Sequence, residues 1–192
     1  MPHRVLIEVL NRLAFLGEVH DRRMFGGHGL YLNGDFFGLI DGQERQLYLR
    51  TDATMAAERE AVESWLFAPM EGKGTMNYAA TPPAVLEDPV RLSAWCARAL
   101  RIARLKKEAE TCSLTGMRNL SKESAFFLLD ADICSPEELR KIGAIAAFRA
   151  VRQLGHEPPL KLLWSIDGAL RNQAWHRLSD ERKAELEAEL GG

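Results

Sequence analysis

The chain lacks a surplus of either charge. Its 192 residues hold 25 lysines and arginines against 27 aspartates and glutamates, a formal net charge of -2, and the balance is even on both sides of Leu105, with 12 basic and 13 acidic residues before it and 13 and 14 from it onward. Autonomous duplex binding draws most of its non-specific affinity from phosphate neutralisation, so neither half offers a broad basic face and any DNA contact must come from a local patch. Cysteine is scarce as well: Cys96, Cys112 and Cys134 are odd in number and widely spaced, which excludes a disulfide framework and a Cys-x-x-Cys metal clamp and leaves three reduced thiols. No hydrophobic run has the length of a membrane helix, and Glu8 interrupts the stretch that a signal peptide would need to keep apolar, so the expected location is the cytoplasm, with no membrane association.

The motifs of common catalysts are missing too. Gly26-Gly27-His28-Gly29 has the look of an oxyanion loop, but no serine stands in a Gly-x-Ser-x-Gly elbow. Gly72-Lys73-Gly74-Thr75 has Phe67 where a phosphate-binding loop needs its first glycine, and a strand rather than a helix is expected after it. His3, His20, His28, His156 and His176 show no ligand spacing with one another or with the cysteines. No catalytic residue, metal site or cofactor is expected.

What is present is periodicity. Hydrophobic residues make up 46% of the chain, enough for one large or two small cores. Val5, Leu6, Val9, Leu10, Leu13 and Leu16 recur at helical spacing before Gly17. From Val19 the period changes to strands. Gly29 to Leu32, Phe36 to Ile40 and Gln46 to Arg50 are separated by Asn33-Gly34 and Asp41-Gly42, which predict an antiparallel meander. Asp52 predicts a helix reaching about Trp65, and Lys73 to Tyr78 predicts a further strand. Asp88-Pro89 opens a long helix with Leu92, Trp95, Ala99, Ile102 and Leu105 on one stripe, which packs it on the sheet. The charged interval from Arg104 to Glu110 then marks a boundary, because no strand signal follows it. The fold class is α+β: an N-terminal antiparallel sheet packed with helices over residues 1–105, then an all-helical domain over residues 111–192 with helix-hairpin-helix-like units.

Two such units are expected between residues 117 and 152, with turns at Asn119-Leu120-Ser121 and Ile142-Gly143-Ala144. The second has the fuller set of signals. Ser135 can cap a helix, Pro136 suits its first position, and Glu137 and Glu138 favour the positive end of the dipole. Gly143 allows a sharp turn into a return helix that is apolar at Ile145, Ala146, Phe148, Val151 and Leu154. A hairpin of this kind can present the free N–H groups of its second helix to a phosphate, beside Arg140, Lys141 and Arg149. The other reading is an interhelical turn with a solvated basic edge. Further on, Pro158-Pro159 and Ser179 each predict a helix start, Trp164 and Trp175 with Arg171 and Arg177 are either core or an interaction anchor, and Glu181 to Glu189 is an acidic solvated face. In the first domain, Arg22, Arg23 and His28 lie beside three glycines, a place for a small anion or a partner's carboxylate, or simply a solvated turn.

Several stretches resemble one family. Arg23-Met24-Phe25-Gly26-Gly27-x-Gly29-Leu30-Tyr31, Phe37-Gly38-Leu39-Ile40, Leu47-Tyr48-Leu49-Arg50 and Met76-Asn77-Tyr78 resemble the N-terminal domain of the TfoX (Sxy) competence regulators. Met117-Arg118-Asn119-Leu120, Glu138-Leu139-x-x-Ile142-Gly143-Ala144, and the run from Leu162 to Leu170 followed by Trp175 resemble the family's C-terminal domain. The resemblance implies a small α/β domain joined to a helical one. It further implies a positive regulator of genes for DNA uptake that assists the cyclic AMP receptor protein and/or RNA polymerase rather than recognising DNA alone. It carries over no catalytic residue. Where the family usually has glycines, this chain has Ser121 and Asp132, which on the resemblance makes the first hairpin a poor phosphate site and concentrates DNA contact at Gly143. The expected function is therefore a transcriptional co-regulator of competence genes with auxiliary DNA contact. The rivals are a non-specific DNA binder working through Arg140, Lys141 and Gly143, and an enzyme centred on Arg23 and His28, for which no catalytic constellation is present.

Overall fold

A computed structural model describes residues 2–24, 26–69 and 74–191. The chain divides into two compact units, Met1–Arg104 and Leu105–Gly192. Among the described residues no helix is long and apolar enough to cross a membrane.

The first unit opens with helix α1 (Pro2–Arg12) and a 3-10 turn that stops at Gly17. Five strands follow as an antiparallel sheet in sequential order: β1 (Val19–Met24), β2 (Gly27–Leu32), β3 (Asp35–Ile40), β4 (Leu47–Arg50) and β5 (Tyr78–Ala80). The β2–β3 turn uses Asn33 and Gly34, both with positive φ, as the Asn-Gly signal requires. Asp41-Gly42 works differently. Asp41 accepts hydrogen bonds from the backbone N–H groups of Gln43 and Glu44, and the left-handed residue is Arg45, so the link between β3 and β4 is a longer, side-chain-tied loop.

Three expectations need correction in this unit. The residues around Arg22, Arg23 and His28 do not form a loose turn, because Arg22 pairs with Gly29 and Arg23 with His28 in the β1–β2 ladder. The helix after Asp52 is short: Asp52 caps a 3-10 turn through Thr54, and α2 (Ala56–Ala61) ends before Glu63, which takes positive φ. Trp65 is therefore not helical, and Leu66 bridges Ala79 at the sheet edge. The strand expected over residues 73–78 is instead Tyr78–Ala80, with Lys73 outside the described residues.

Helix α3 (Pro83–Leu86) leads to α4 (Pro89–Glu108), whose first turn is capped by the Asp88 carboxylate at the N–H groups of Val90 and Arg91. Leu92, Trp95, Ala99, Ile102 and Leu105 are all buried, as their stripe predicts. Leu92, Trp95 and Ala99 share a core with Leu6, Val9 and Leu13 of the α1 segment and with Leu30, Phe37 and Leu49 of the sheet. The helices thus cover one face of the sheet. On the opposite face Leu39, Tyr48, Phe67, Tyr78 and Ala80 form a second, smaller cluster.

The second unit is helical: α5 (Lys122–Asp130), α6 (Pro136–Ile142), α7 (Ala144–Gln153), α8 (Leu160–Leu170) and α9 (Asp180–Gly191). Pro159 and Ser179 stand at the helix starts where the sequence puts them, and the Ser179 hydroxyl accepts from the N–H of Arg182. The two expected hairpins differ. Only a 3-10 turn, Ser113–Gly116, precedes the Asn119 bend, so the first expected hairpin lacks the leading helix it needs. Ser121 has φ of -85° and caps α5 through Ser124, while the left-handed residue is Asn119. Its hydroxyl therefore does not occupy a glycine-requiring bend. Asp132 does, with φ of +58°.

Candidate functional site

The α6–α7 bend is built in three local steps. Ser135 caps α6 by accepting from the Glu138 N–H, while the Glu138 carboxylate accepts from the Cys134 N–H, so the start of the helix is tied on both sides. Leu139, fully buried, anchors the helix in the core. Gly143, at φ of 76° and ψ of 168°, then ends α6 and begins α7 without any intervening residue. That combination of angles is open essentially only to glycine.

The consequence is a helix start with no side-chain cap. Ala147 donates to the Gly143 carbonyl, leaving the N–H groups of Ala144, Ile145 and Ala146 without acceptors from the helix itself. These residues line an open cavity of about 490 Å³, together with Asp167, Arg171, Arg182 and Glu189. Asp167 is 4% exposed and holds both arginines, Arg171 Nε at 2.9 Å and Arg182 Nη2 at 2.9 Å. The Asp167 carboxylate, and after it Glu185, holds the Arg182 guanidinium in its protonated form more firmly than in water. The cavity thus combines backbone donors and two guanidinium groups with two carboxylates, so its field is mixed rather than strongly positive.

The four residues expected to serve this bend separate in space and in duty. Gly143 makes the turn. Arg140 and Lys141 occupy the last turn of α6, both exposed, with Arg140 also 3.3 Å from Glu137. Cations there complement the negative helix end whether or not a ligand is present. Arg149 donates to the backbone carbonyl of Glu189 and so ties α7 to the end of α9. Arg182 was not singled out by the sequence, because its link to Asp167 spans 15 residues; the Arg171 link was open to inspection as an i, i+4 pair.

The Asn119 bend is closed by its own side chain. Asn119 Nδ2 donates to the Gln173 carbonyl at 2.8 Å, and its Oδ1 accepts from the Trp175 N–H at 3.2 Å. Gly168 is what lets this strap approach α8: a Cβ there would lie 2.7 Å from Asn119 Nδ2 and from the Gln173 oxygen. Trp175 stacks with Trp164, their ring centres 6.2 Å apart, with Lys161 over the first ring and Lys183 over the second. Two of the resembling stretches, Met117 to Leu120 and the run from Leu162 through Trp175, therefore meet in one clamp.

In the sheet unit, Arg22, Arg23 and His28 do not converge. Alternation along β1 puts Arg22 on the face away from the helices, 5.0 Å over the Tyr31 ring, and Arg23 on the other face with His28. His28 Nδ1 lies 2.7 Å from Asp21 Oδ2, so the position foreseen for a foreign carboxylate holds one from the chain itself. In the second unit His156, which unlike His28 is buried, bonds Asp130 at 2.7 Å with both side chains almost fully enclosed, a structural pair.

Residues 11–103 match the TfoX N-terminal domain and residues 110–190 match the TfoX C-terminal domain. A protein named DNA transformation protein TfoX1, from Aliivibrio fischeri, is 27% identical over 184 residues, covering 92% of this chain and 87% of its own. The crystal structure of an uncharacterized protein from Listeria monocytogenes, 28% identical, aligns with 38% of this chain and 84% of its own at a TM-score of 0.37. Both domain families are matched side by side and in order, and the chain belongs to the TfoX family.

Proposed function

We propose that this protein is a transcriptional co-regulator of DNA-uptake (competence) genes. It works mainly through protein contacts, with the cyclic AMP receptor protein and/or RNA polymerase as partner and the α6–α7 bend as an auxiliary foothold on duplex DNA. The observation that carries the reading is the end-to-end match with a relative named for DNA transformation, with both family domains in order. The near-neutral charge of both halves supports a protein that joins an assembly over one that grips DNA unaided. The uncapped start of α7, with Arg140 and Lys141 one turn before it, supports a contact to one or two phosphates. The reading assigns the protein no catalysis.

Deleting the gene is expected to lower DNA-uptake transcripts under inducing conditions, and retention of the cyclic AMP receptor protein or RNA polymerase on the immobilised full chain is expected in a pull-down. Unchanged transcripts would overturn the reading. The second reading, a non-specific duplex binder, is favoured by the same α7 donors and is separated by salt. A shallow dependence of affinity on salt is expected for the co-regulator, and replacing Arg140 and Lys141 with alanine lowers the slope by about 2 at most. A steep slope in the absence of any partner would put the autonomous binder first.

A further inference from the structure

A second cavity of the helical unit, about 350 Å³, lies between the start of α5, the first half of α8 and the 3-10 turn at Trp175. It shares no lining residue with the cavity at the α6–α7 bend. Its size falls at the lower end of the ~300–1,000 Å³ typical of small-molecule sites. Phe127, Pro159, Leu162 and Trp175 supply an apolar lining.

Several of the polar groups around it are tied off within the chain. Asn119 spends its amide on Gln173 and Trp175, while Ser121 Oγ accepts from the Ser124 N–H and lies 3.1 Å from the Ser124 hydroxyl. Ser165 is the exception. It lines the cavity at 4% exposure, and among the described residues nothing hydrogen-bonds its hydroxyl. A serine within a helix commonly returns its hydroxyl to the carbonyl one turn back, and an enclosed hydroxyl left without a partner is costly, so this one calls for an acceptor from outside the chain. Lys161 stands one turn before Ser165 on the same side of α8. Its ammonium is held 5.1 Å over the Trp175 ring, and among the described residues no carboxylate pairs with it, although Glu123 lines the same cavity.

An open hydroxyl inside an apolar cavity, with an unneutralised ammonium one turn away, defines a ligand with an apolar body and one anionic group that accepts from both. A carboxylate has the charge and an oxygen for each donor. A phosphate dianion or a nucleic-acid strand fits worse, because Glu123 opposes further negative charge and the lining is largely apolar. We propose that this cavity is a receptor site for a small monocarboxylate. The acid group accepts from the Ser165 hydroxyl and the Lys161 ammonium, and the hydrocarbon body lies against Phe127, Leu162 and Trp175. The inference stands on the helical unit alone and does not depend on the regulatory reading above.

The test titrates the full-length protein with phenylacetate, hexanoate or cyclohexanecarboxylate and follows tryptophan fluorescence, since Trp175 lines the cavity. Each acid is run beside its amide and its primary ammonium analogue, which keep the shape and change the charge. Saturable binding of an acid is expected, about fivefold or more tighter than either analogue. Ser165→Ala and Lys161→Gln should each weaken it about fivefold or more, and Glu123→Gln should tighten it about twofold. Thermal melts check folding: Ser165→Ala removes an unbonded hydroxyl in favour of a strong helix former, and Lys161 is exposed, so both variants should melt like the parent. Absence of saturable binding by any of the acids would overturn the proposal. So would an amide or ammonium analogue that binds as tightly as its acid, or acid binding unmoved by Ser165→Ala or by Lys161→Gln.

Discussion

At Asn119 the chain turns through a left-handed residue whose own amide then closes the turn, donating to Gln173 and accepting from Trp175. At Gly143 the chain turns as sharply, but the residue has no side chain to spend and the N–H groups of the next helix stay open beside a cavity. Both bends carry similar marks in the sequence, an apolar residue beside a small or polar one between helical stretches. One is a strap and the other a free helix end. A turn that satisfies its own polar groups has little left for a ligand, whereas a turn made by backbone conformation alone keeps its donors.

The largest expected effect follows from cutting the strap. Asn119→Ala leaves the Gln173 carbonyl and the Trp175 N–H unpaired and places a Cβ residue without a compensating amide at φ of +70°, so a loss of about 3 kcal/mol is expected in denaturant unfolding. Asn119→Gly keeps the backbone angle and removes only the hydrogen bonds, and about 2 kcal/mol is expected. Gly168→Ala should approach the same loss by pushing a methyl group into the strap, and the Asn119→Gly, Gly168→Ala pair should cost less than the sum because both damage one contact. Additive losses would break the comparison at its first term.

The second bend is expected to fail for a different reason. Gly143→Ala has open space for its Cβ, with nothing within 4 Å, so its cost is all backbone: about 2 kcal/mol for a conformation that alanine scarcely adopts. No long-range hydrogen bond is cut, so the spectroscopic signals of Trp164 and Trp175 should remain native after Gly143→Ala and change after Asn119→Ala. A Gly143→Ala variant as stable as the parent would mean that the bend relaxes, and the open helix start would lose its physical basis.

How much of this was legible beforehand depends on range. The α4 stripe, the Asn33-Gly34 turn, the Ser135 and Ser179 caps and the Gly143 bend are all set by neighbours within a few residues, and all appear where the sequence places them. Strand β1 was harder, because four of its six residues are exposed and an edge strand need not alternate in polarity. The short α2 gave way to an extended segment because Trp65 and Phe67 pair with β5, a contact that periodicity does not report. The site suffered the same limit. Arg149 looked free in the sequence and is bonded to a carbonyl 40 residues away, and Arg22 and Arg23 looked like one cluster until strand alternation put them on opposite faces.

The sheet offers a smaller instance of the same contrast between groups tied off within the chain and groups left open. Tyr48 is buried and its hydroxyl donates to Glu44 while accepting from Trp65 Nε1, and burial first, then Glu44, pushes its pKa up to about 12. An unfolded tyrosine ionises near 10, so between those values the unfolded state gives up a proton that the folded state keeps, and stability falls as pH rises. A loss on the order of 1 kcal/mol is expected across that window, reduced from the full shift because Glu44 is exposed to solvent. Tyr48→Phe should flatten the decline; an equally steep decline in that variant would show that Tyr48 is not the group responsible.

The smallest effect tests whether the Asn119 bend has any use for a glycine. Ser121 holds φ of -85°, an angle every residue adopts, and its hydroxyl caps α5 at the Ser124 N–H at 3.1 Å. Glycine is itself a tolerable cap, so Ser121→Gly should cost only about 0.3 kcal/mol by thermal or denaturant unfolding. It should also leave duplex affinity where it was, because the turn's left-handed position and its hydrogen bonds belong to Asn119. If Ser121→Gly instead stabilised the protein by more than about 0.5 kcal/mol or sharpened duplex binding, the serine would be obstructing a second free helix end. The two bends would then differ by one substitution rather than by construction.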